Sequence, residues 1–347
     1  MSKAKIGVLG YGVIGKRVAD AVRLQEDMEV VGVAGPSASF SLRDAELQGF
    51  PVYLGDTPMP GDAALRFCTV AGTLAELIRC CDVVLDCTPS GTPAKYAELY
   101  NRHPEMPVIV QGGEKHSFGG VSFNSFANYG QALGRKRIRV ISCSSTGVTR
   151  FVYTLDQAFG LDHAFVSLIR RSADPGKRSK TPVNALTPVM GQSHHAPDVR
   201  TVLPHLRLYS MSVDCCTTLG HVLTVQADLC RPASRTEVLH TLDRMPRLLL
   251  GRGLHSTADL AEHYEDLGRR RRDRPEVYVW SDGLQVEGST VYATISVHME
   301  SITIPETVDC VRAALNLEKD GWASVYKTDR ALGIAKDAGC YPPKVER

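Results

Sequence analysis

One cysteine in this chain has a setting that would activate it. Ile138-Arg139-Val140-Ile141 reads as a strand, Ser142-Cys143-Ser144-Ser145-Thr146-Gly147 as a small polar turn, and a helical pattern follows. Cys143 therefore falls at a helix amino terminus, where the dipole and free N–H groups favour a thiolate. A thiol of pKa about 8.5 is only a few per cent ionised at neutral pH, so such help matters to a nucleophile. A buried structural cysteine fits the same spacing equally well. A thiolate nucleophile also needs a base within hydrogen-bond reach. Among eleven histidines, His221 opens an apolar strand after Thr217-Thr218-Leu219-Gly220, and His194-His195 lie in a loop-like Ser-His-His-Ala-Pro-Asp stretch. Arg170-Arg171 end a β-branched strand, and paired guanidinium forks suit phosphate or carboxylate.

A second constellation lies near the amino terminus. Gly10-Tyr11-Gly12-Val13-Ile14-Gly15 fits G-x-G-x-x-G, with a strand ending just before it and an amphipathic helix starting within it. There the first glycine permits a tight turn, the second lets a pyrophosphate approach the backbone, and the third lets helix and strand pack closely. A carboxylate at the end of the second strand would bind the ribose 2′-hydroxyl of NAD. This chain instead reads Val33-Ala34-Gly35-Pro36-Ser37-Ala38-Ser39, with no acid before Asp44. The expected cofactor is NADP or NAD, with a lean towards NADP through Ser37 and Ser39.

The elements that must hold these residues form two textures. Strands at residues 5–9, 29–33, 83–87, 108–110 and 138–141 alternate with helical patterns, one of them capped by Thr73. That alternation predicts a doubly wound parallel sheet, an α/β Rossmann domain. Beyond residue 160, longer β-branched stretches at 165–169, 221–227, 276–280 and 290–298 enclose helical patterns at 235–244 and 257–267. These predict an α+β domain on an antiparallel or mixed sheet. The expected division is 1–142 with 303–347 for the dinucleotide-binding domain and 143–302 for the catalytic domain.

Composition excludes several function classes. Forty Lys plus Arg balance 38 Asp plus Glu in 347 residues, giving a net charge of only +2. A nucleic-acid binder would draw its affinity from an excess of cations. No apolar run reaches the roughly 18 residues that span a bilayer, and the apolar start is far too short for a signal peptide. Ten cysteines without a C-x-x-C pair argue against a structural metal, and they are expected to be reduced, in the cytoplasm. The arginine run 269–272 reads as a solvated helix end.

Taken together, the chain resembles the archaeal-type (type II) phosphorylating glyceraldehyde-3-phosphate dehydrogenases almost from end to end. The similar stretches, in order, are GYGVIGKRVADAV, QGGEKHSFGGVSFNSFANYGQALG, VISCSSTG, RRSADP, PVNALTP, SHHAPDV, TTLGH, STADL and ESITIPETVDCVRAAL. The resemblance implies an NAD(P)-dependent homotetramer with a Rossmann domain, an α+β catalytic domain and a carboxyl-terminal helix returning to the first. It implies Cys143 as the nucleophile and His221 as its base. Arg170, Arg171, His194 and His195 would surround substrate phosphate or inorganic phosphate, with Thr146 near the reacting centre. The implied cofactor contacts are Gly10, Tyr11, Gly12, Val13, Ile14, Gly15, Ser37, Thr88, Gln111 and Gly112, with no metal. The reaction would convert a small phosphorylated aldehyde and inorganic phosphate, through a Cys143 thioester, into an acyl phosphate.

The chain also departs from the family pattern. Leu9, Ser144, Met299 and Thr307 stand where the family usually has Asn, Asn, Gln and Asn, and Gly35-Pro36-Ser37 replace its basic and threonine residues. These changes leave two alternatives: the same thioester chemistry on another phosphorylated or acidic aldehyde, or a non-catalytic nucleotide-sensing protein.

Overall fold

The structure, a computed structural model, describes residues 2–55, 68–111, 113–173 and 179–337. The chain divides into two compact units, Met1–Ile141 with Ile304–Gly333, and Ser142–Thr303 with the residues from Ile334 on. The described residues 334–337 thus group with the second unit, although 303–347 as a whole is expected in the first.

In the first unit β1 (Ala4–Leu9), α1 (Val13–Arg23) and β2 (Met28–Gly35) form the opening βαβ. There follow α2 (Phe40–Leu47), β3 (Val52–Leu54), β4 (Val70–Thr73), α3 (Leu74–Cys80) and β5 (Val83–Asp86). Next come α4 (Ala97–Asn101), β6 (Val108–Val110), β7 (Ser122–Phe123) and β8 (Arg137–Val140). The sheet order is β4-β3-β2-β1-β5-β6-β8-β7, and every pair is parallel. Strand order reverses between β1 and β5, the switch point beyond whose carboxyl ends such sheets bind ligands. Thr73 caps α3 through a reciprocal box with Glu76, which fixes where that helix starts. One sheet face buries Ile6, Val8 and Val33 against Val18, Val22 and Leu42, while the other buries Val84 and Val108 against Leu74, Leu77 and Ile78.

The second unit opens with α5 (Cys143–Phe159), β9 (Leu161–Arg171), β10 (Leu186–Pro188), α6 (His195–Arg200), β11 (Arg207–Cys215) and β12 (His221–Leu229). It continues with α7 (Arg235–Arg244), β13 (Leu248–Gly251), α8 (Thr257–Asp266), β14 (Val277–Trp280), β15 (Gln285–Glu287) and β16 (Thr290–Val297). Its sheet runs β10-β11-β9-β12-β16-β14-β13, with β15 beside β16, and it mixes parallel and antiparallel pairs. The α5 helix buries Phe151, Val152 and Leu155 and packs across β9, β12, β14 and β16. On the opposite sheet face Phe165 stacks on Tyr209, and Ile169, Met211 and Tyr292 are exposed. The arginine run is not simply solvated: Arg269 leaves it to form a bidentate pair with Glu276 at 2.6 and 2.7 Å.

The chain rejoins the first unit through α9 (Ile304–Ala314) and α10 (Gly321–Ala331). Val308 and Val311 join the same core as Val18 and Val22. The Arg312 guanidinium holds Asp27 at 2.7 and 2.9 Å and Gln25 at 2.8 Å. That contact keeps the Asp27 carboxyl below its usual range against the opposing effect of burial, which is the largest single influence on it.

Candidate active site

In the second unit the polar turn after β8 becomes the start of α5, with Cys143 as its first residue. The Ser142 amide, just ahead of the helix, donates to Asp198 Oδ2 at 3.1 Å, tying this start to α6. Cys143 Sγ faces His221 Nε2 at 3.9 Å, so the two residues stand together across 78 positions of sequence. Burial pushes the Cys143 thiol up, and the Ser144 amide together with the Arg170 and Arg171 charges offsets only part of that. The helix start alone therefore does not make the sulfur a resting thiolate.

His221 is the first residue of β12 and is buried. Gly220 precedes it with a φ of +98°, which only glycine adopts cheaply and which turns the chain into the strand. Its Nδ1 accepts the backbone N–H of Arg171 at 3.0 Å. Burial and the neighbouring Arg171 and Arg170 cations hold its pKa down to about 3, so the imidazole is neutral at physiological pH.

The two arginines part company. Successive strand residues project to opposite sides, and along β9 Ala164, Val166 and Leu168 are buried while Ile169 is exposed. Arg170 thus follows Leu168 to the helix-covered side. It remains 27% exposed, with Asp214 Oδ1 3.5 Å from its Nε. The Arg171 side chain is fully buried and pairs with Glu300 Oε1 at 2.9 Å and the Thr218 carbonyl at 3.1 Å. Arg170 keeps part of its guanidinium accessible, whereas Arg171 is committed inside the protein.

His194 and His195 stack with ring centroids 4.0 Å apart, the first exposed and the second buried. His195 Nδ1 lies 3.1 Å from Ser193 Oγ. Burial, then the charges of His194, Arg170 and His221, hold its pKa down to about 2, which places His195 in the same electrostatic neighbourhood. Thr146 is buried one turn into α5. Glu300, Asp214, Asp198 and Thr218 escaped sequence reasoning. For Glu300 there was a signal, since an arginine buried in a strand demands a carboxylate and the chain offers one in Glu300-Ser301-Ile302.

In the first unit the glycine turn fits a dinucleotide. Gly10 has a φ of +86°, and a Cβ there would meet the Thr88 amide nitrogen at 2.9 Å. A Cβ on Gly15 would meet the Gly10 carbonyl oxygen at 2.0 Å, whereas one on Gly12 would meet nothing within 4 Å. Gly12 N-caps α1 with no side-chain hydrogen bond. A helix start with free N–H groups and open space before it is where a pyrophosphate belongs. Val13 and Ile14 carry the turn into α1, and the buried Tyr11 ring packs edge-on to Phe50.

Thr88 donates its amide and hydroxyl to buried Asp86, itself held by Tyr100, and so shapes the end of β5 beside the turn. Ser37 is exposed just past β2, Ser39 caps α2 by accepting from the Leu42 amide, and Asp44 is engaged by Lys16 at 2.6 Å. Among the described residues, no carboxylate stands free at that strand end to repel a 2′-phosphate. Gln111 Nε2 donates to the Thr307 hydroxyl at 3.3 Å, which anchors the end of β6 to α9. Gly112 lies outside the described residues.

The family model for the glyceraldehyde 3-phosphate dehydrogenase C-terminal domain matches residues 142–262. The chain is 41% identical over 341 residues to a glyceraldehyde-3-phosphate dehydrogenase of Hyperthermus butylicus, covering 97% of this chain and 99% of that one. It is 40% identical to glyceraldehyde-3-phosphate dehydrogenase 2 of Methanosarcina barkeri, across 96% and 99% of the two chains. It is likewise 40% identical to a glyceraldehyde-3-phosphate dehydrogenase of Pyrobaculum calidifontis, across 97% and 99%.

Proposed function

The chain belongs to the glyceraldehyde-3-phosphate dehydrogenase family, and we propose that it is an NAD(P)-dependent phosphorylating aldehyde dehydrogenase working through a thioester on Cys143. The observation that carries this reading is a cysteine at a helix start with an imidazole nitrogen 3.9 Å from its sulfur. Cys143 Sγ adds to the carbon of glyceraldehyde 3-phosphate, and His221 stands beside the oxyanion that forms. A bound nicotinamide supplies the hydride acceptor. Inorganic phosphate then displaces sulfur from the acyl group, releasing the acyl phosphate.

Arg170 offsets phosphate charge, with His194 and His195 beside it, and Thr146 backs the reacting centre. The glycine turn from Gly10 to Gly15 holds the pyrophosphate. Exposed Ser37 and the missing acid at the end of β2 support NADP as the preferred cofactor. The apolar residues exposed on the second sheet support a homo-oligomer, a tetramer by family likeness. Steady-state assays with both cofactors, with and without phosphate, test the reaction. Phosphate-independent reduction, or no acyl adduct on Cys143 by mass spectrometry, would defeat it.

A further inference from the structure

Arg170 has a carboxylate for a neighbour. On β9 it is in register with Asp214 of the parallel strand β11, and residues in register on adjacent strands project to the same side of a sheet. Along β11 Ser210 and Ser212 are buried, and Ser210 Oγ accepts the Ala196 amide of α6 at 2.9 Å. Asp214 therefore follows them to the helix-covered side that Arg170 also takes. There Asp214 Oδ1 lies 3.5 Å from Arg170 Nε. Oδ1 is enclosed and accepts no hydrogen bond among the described residues, so the 25% of the side chain that stays exposed belongs to its other atoms. The other ionisable groups that sense Arg170 bring no countercharge. Burial is the first influence in holding the His195 and His221 rings neutral, and it pushes the Cys143 thiol up.

A guanidinium by itself takes any oxyanion, because its five donors ask only for lone pairs. Paired with a carboxylate it carries no net charge, and it presents an acceptor beside its donors. An anion with no proton of its own then meets repulsion from Asp214 with nothing to offset it. One that carries an O–H gives Asp214 a hydrogen bond and gives Arg170 its lone pairs. Near neutral pH inorganic phosphate keeps a P–O–H, and sulfate keeps none. We infer that Asp214 is a specificity-determining residue, which with Arg170 holds an oxyanion that brings its own proton, inorganic phosphate, more tightly than one that brings none. The inference deepens the phosphate role of Arg170 and rests on it. Selectivity of this kind comes from the penalty set against the wrong ligand as much as from contacts with the right one.

Titration calorimetry of the full-length protein at pH 7.5, with sodium phosphate and sodium sulfate at matched ionic strength, reads the preference without turnover. The wild type should bind phosphate about 10- to 100-fold more tightly than sulfate, the worth of a hydrogen bond to a charged group. Asp214→Asn, which keeps the shape and removes the charge, should bring the two affinities together, chiefly by tightening sulfate. Asp214→Glu, which keeps the carboxylate, should retain a preference for phosphate. In steady-state assays sulfate should compete with phosphate more strongly in Asp214→Asn than in the wild type, a change that a merely structural role would not produce. Equal affinities in the wild type, or an unaltered ratio in Asp214→Asn, would overturn the inference. Arg170→Gln should weaken both anions. If it weakens neither, or if the wild type binds neither, the phosphate role of Arg170 itself has failed, a result distinct from an unaltered ratio.

Discussion

Arg170 and Arg171 are neighbours in the chain and stand on opposite sides of β9, one 27% exposed and the other wholly enclosed by Glu300 and Thr218. Their substitution should separate binding from stability. Arg170→Gln should raise KM for phosphate and for the phosphorylated aldehyde about 10- to 100-fold, the worth of a charge-assisted hydrogen bond, and leave Tm nearly unchanged. Glu300→Ala strands a buried cation and should cost about 3–5 kcal/mol, read in urea unfolding. Equal Tm values for the two variants would contradict this division.

Cys143→Ser should abolish aldehyde-dependent reduction, because a serine hydroxyl is far harder to ionise than a thiol and is the weaker nucleophile and leaving group. Cofactor affinity, measured by fluorescence titration, should stay nearly that of the wild type. Wild-type-like turnover in this variant would end the thioester mechanism.

The glycine turn makes a paired prediction. Gly12→Ala adds a methyl into open space, so the protein should fold normally yet bind cofactor more weakly, since the methyl occupies the approach of the pyrophosphate. Gly15→Ala drives a Cβ to 2.0 Å from the Gly10 carbonyl oxygen and should lower Tm. Thermal melts and cofactor titration of both variants check it, and the reverse ordering would refute it.

Acid should destabilise the fold through its two buried histidines. In the unfolded chain His221 and His195 take up protons near pH 6.5, whereas folded they resist until about 3 and 2 because burial disfavours the charged rings. Between those values the unfolded state binds more protons, so stability rises with pH. The histidine contribution is complete above pH 6.5 and is lost progressively as pH falls towards 3. Urea midpoints at pH 7.5, 6 and 4.5 should decline in that order, and His195→Gln should flatten the decline.

The first unit was legible because its signals are local. Val83–Asp86 and Val108–Val110 form where apolar runs predict strands, and Thr73 caps its helix through Glu76 as sequence allows. In the second unit β11 went unread, although Arg207 to Ser212 alternate exposed and buried, the period of a half-covered strand. The site was legible in its residue types and not in its roles. Reading Arg170-Arg171 as one phosphate fork treated two residues as a unit when the pleat sends them apart. Nor could spacing reveal that a main-chain amide occupies His221 Nδ1, because such contacts depend on where the backbone runs.

The α9 helix closes a core begun about three hundred positions earlier, with Arg312 reaching back to Asp27 and Gln25. On the ribosome, at about 5–20 residues per second, roughly 15 to 60 s must elapse between making α1 and making the helix that covers it. The amino-terminal half-core waits through that interval with Val18 and Val22 uncovered, while the whole intervening segment emerges ahead of its cover. A nascent chain stalled before residue 304 should therefore offer chaperones an apolar surface that the finished polypeptide conceals.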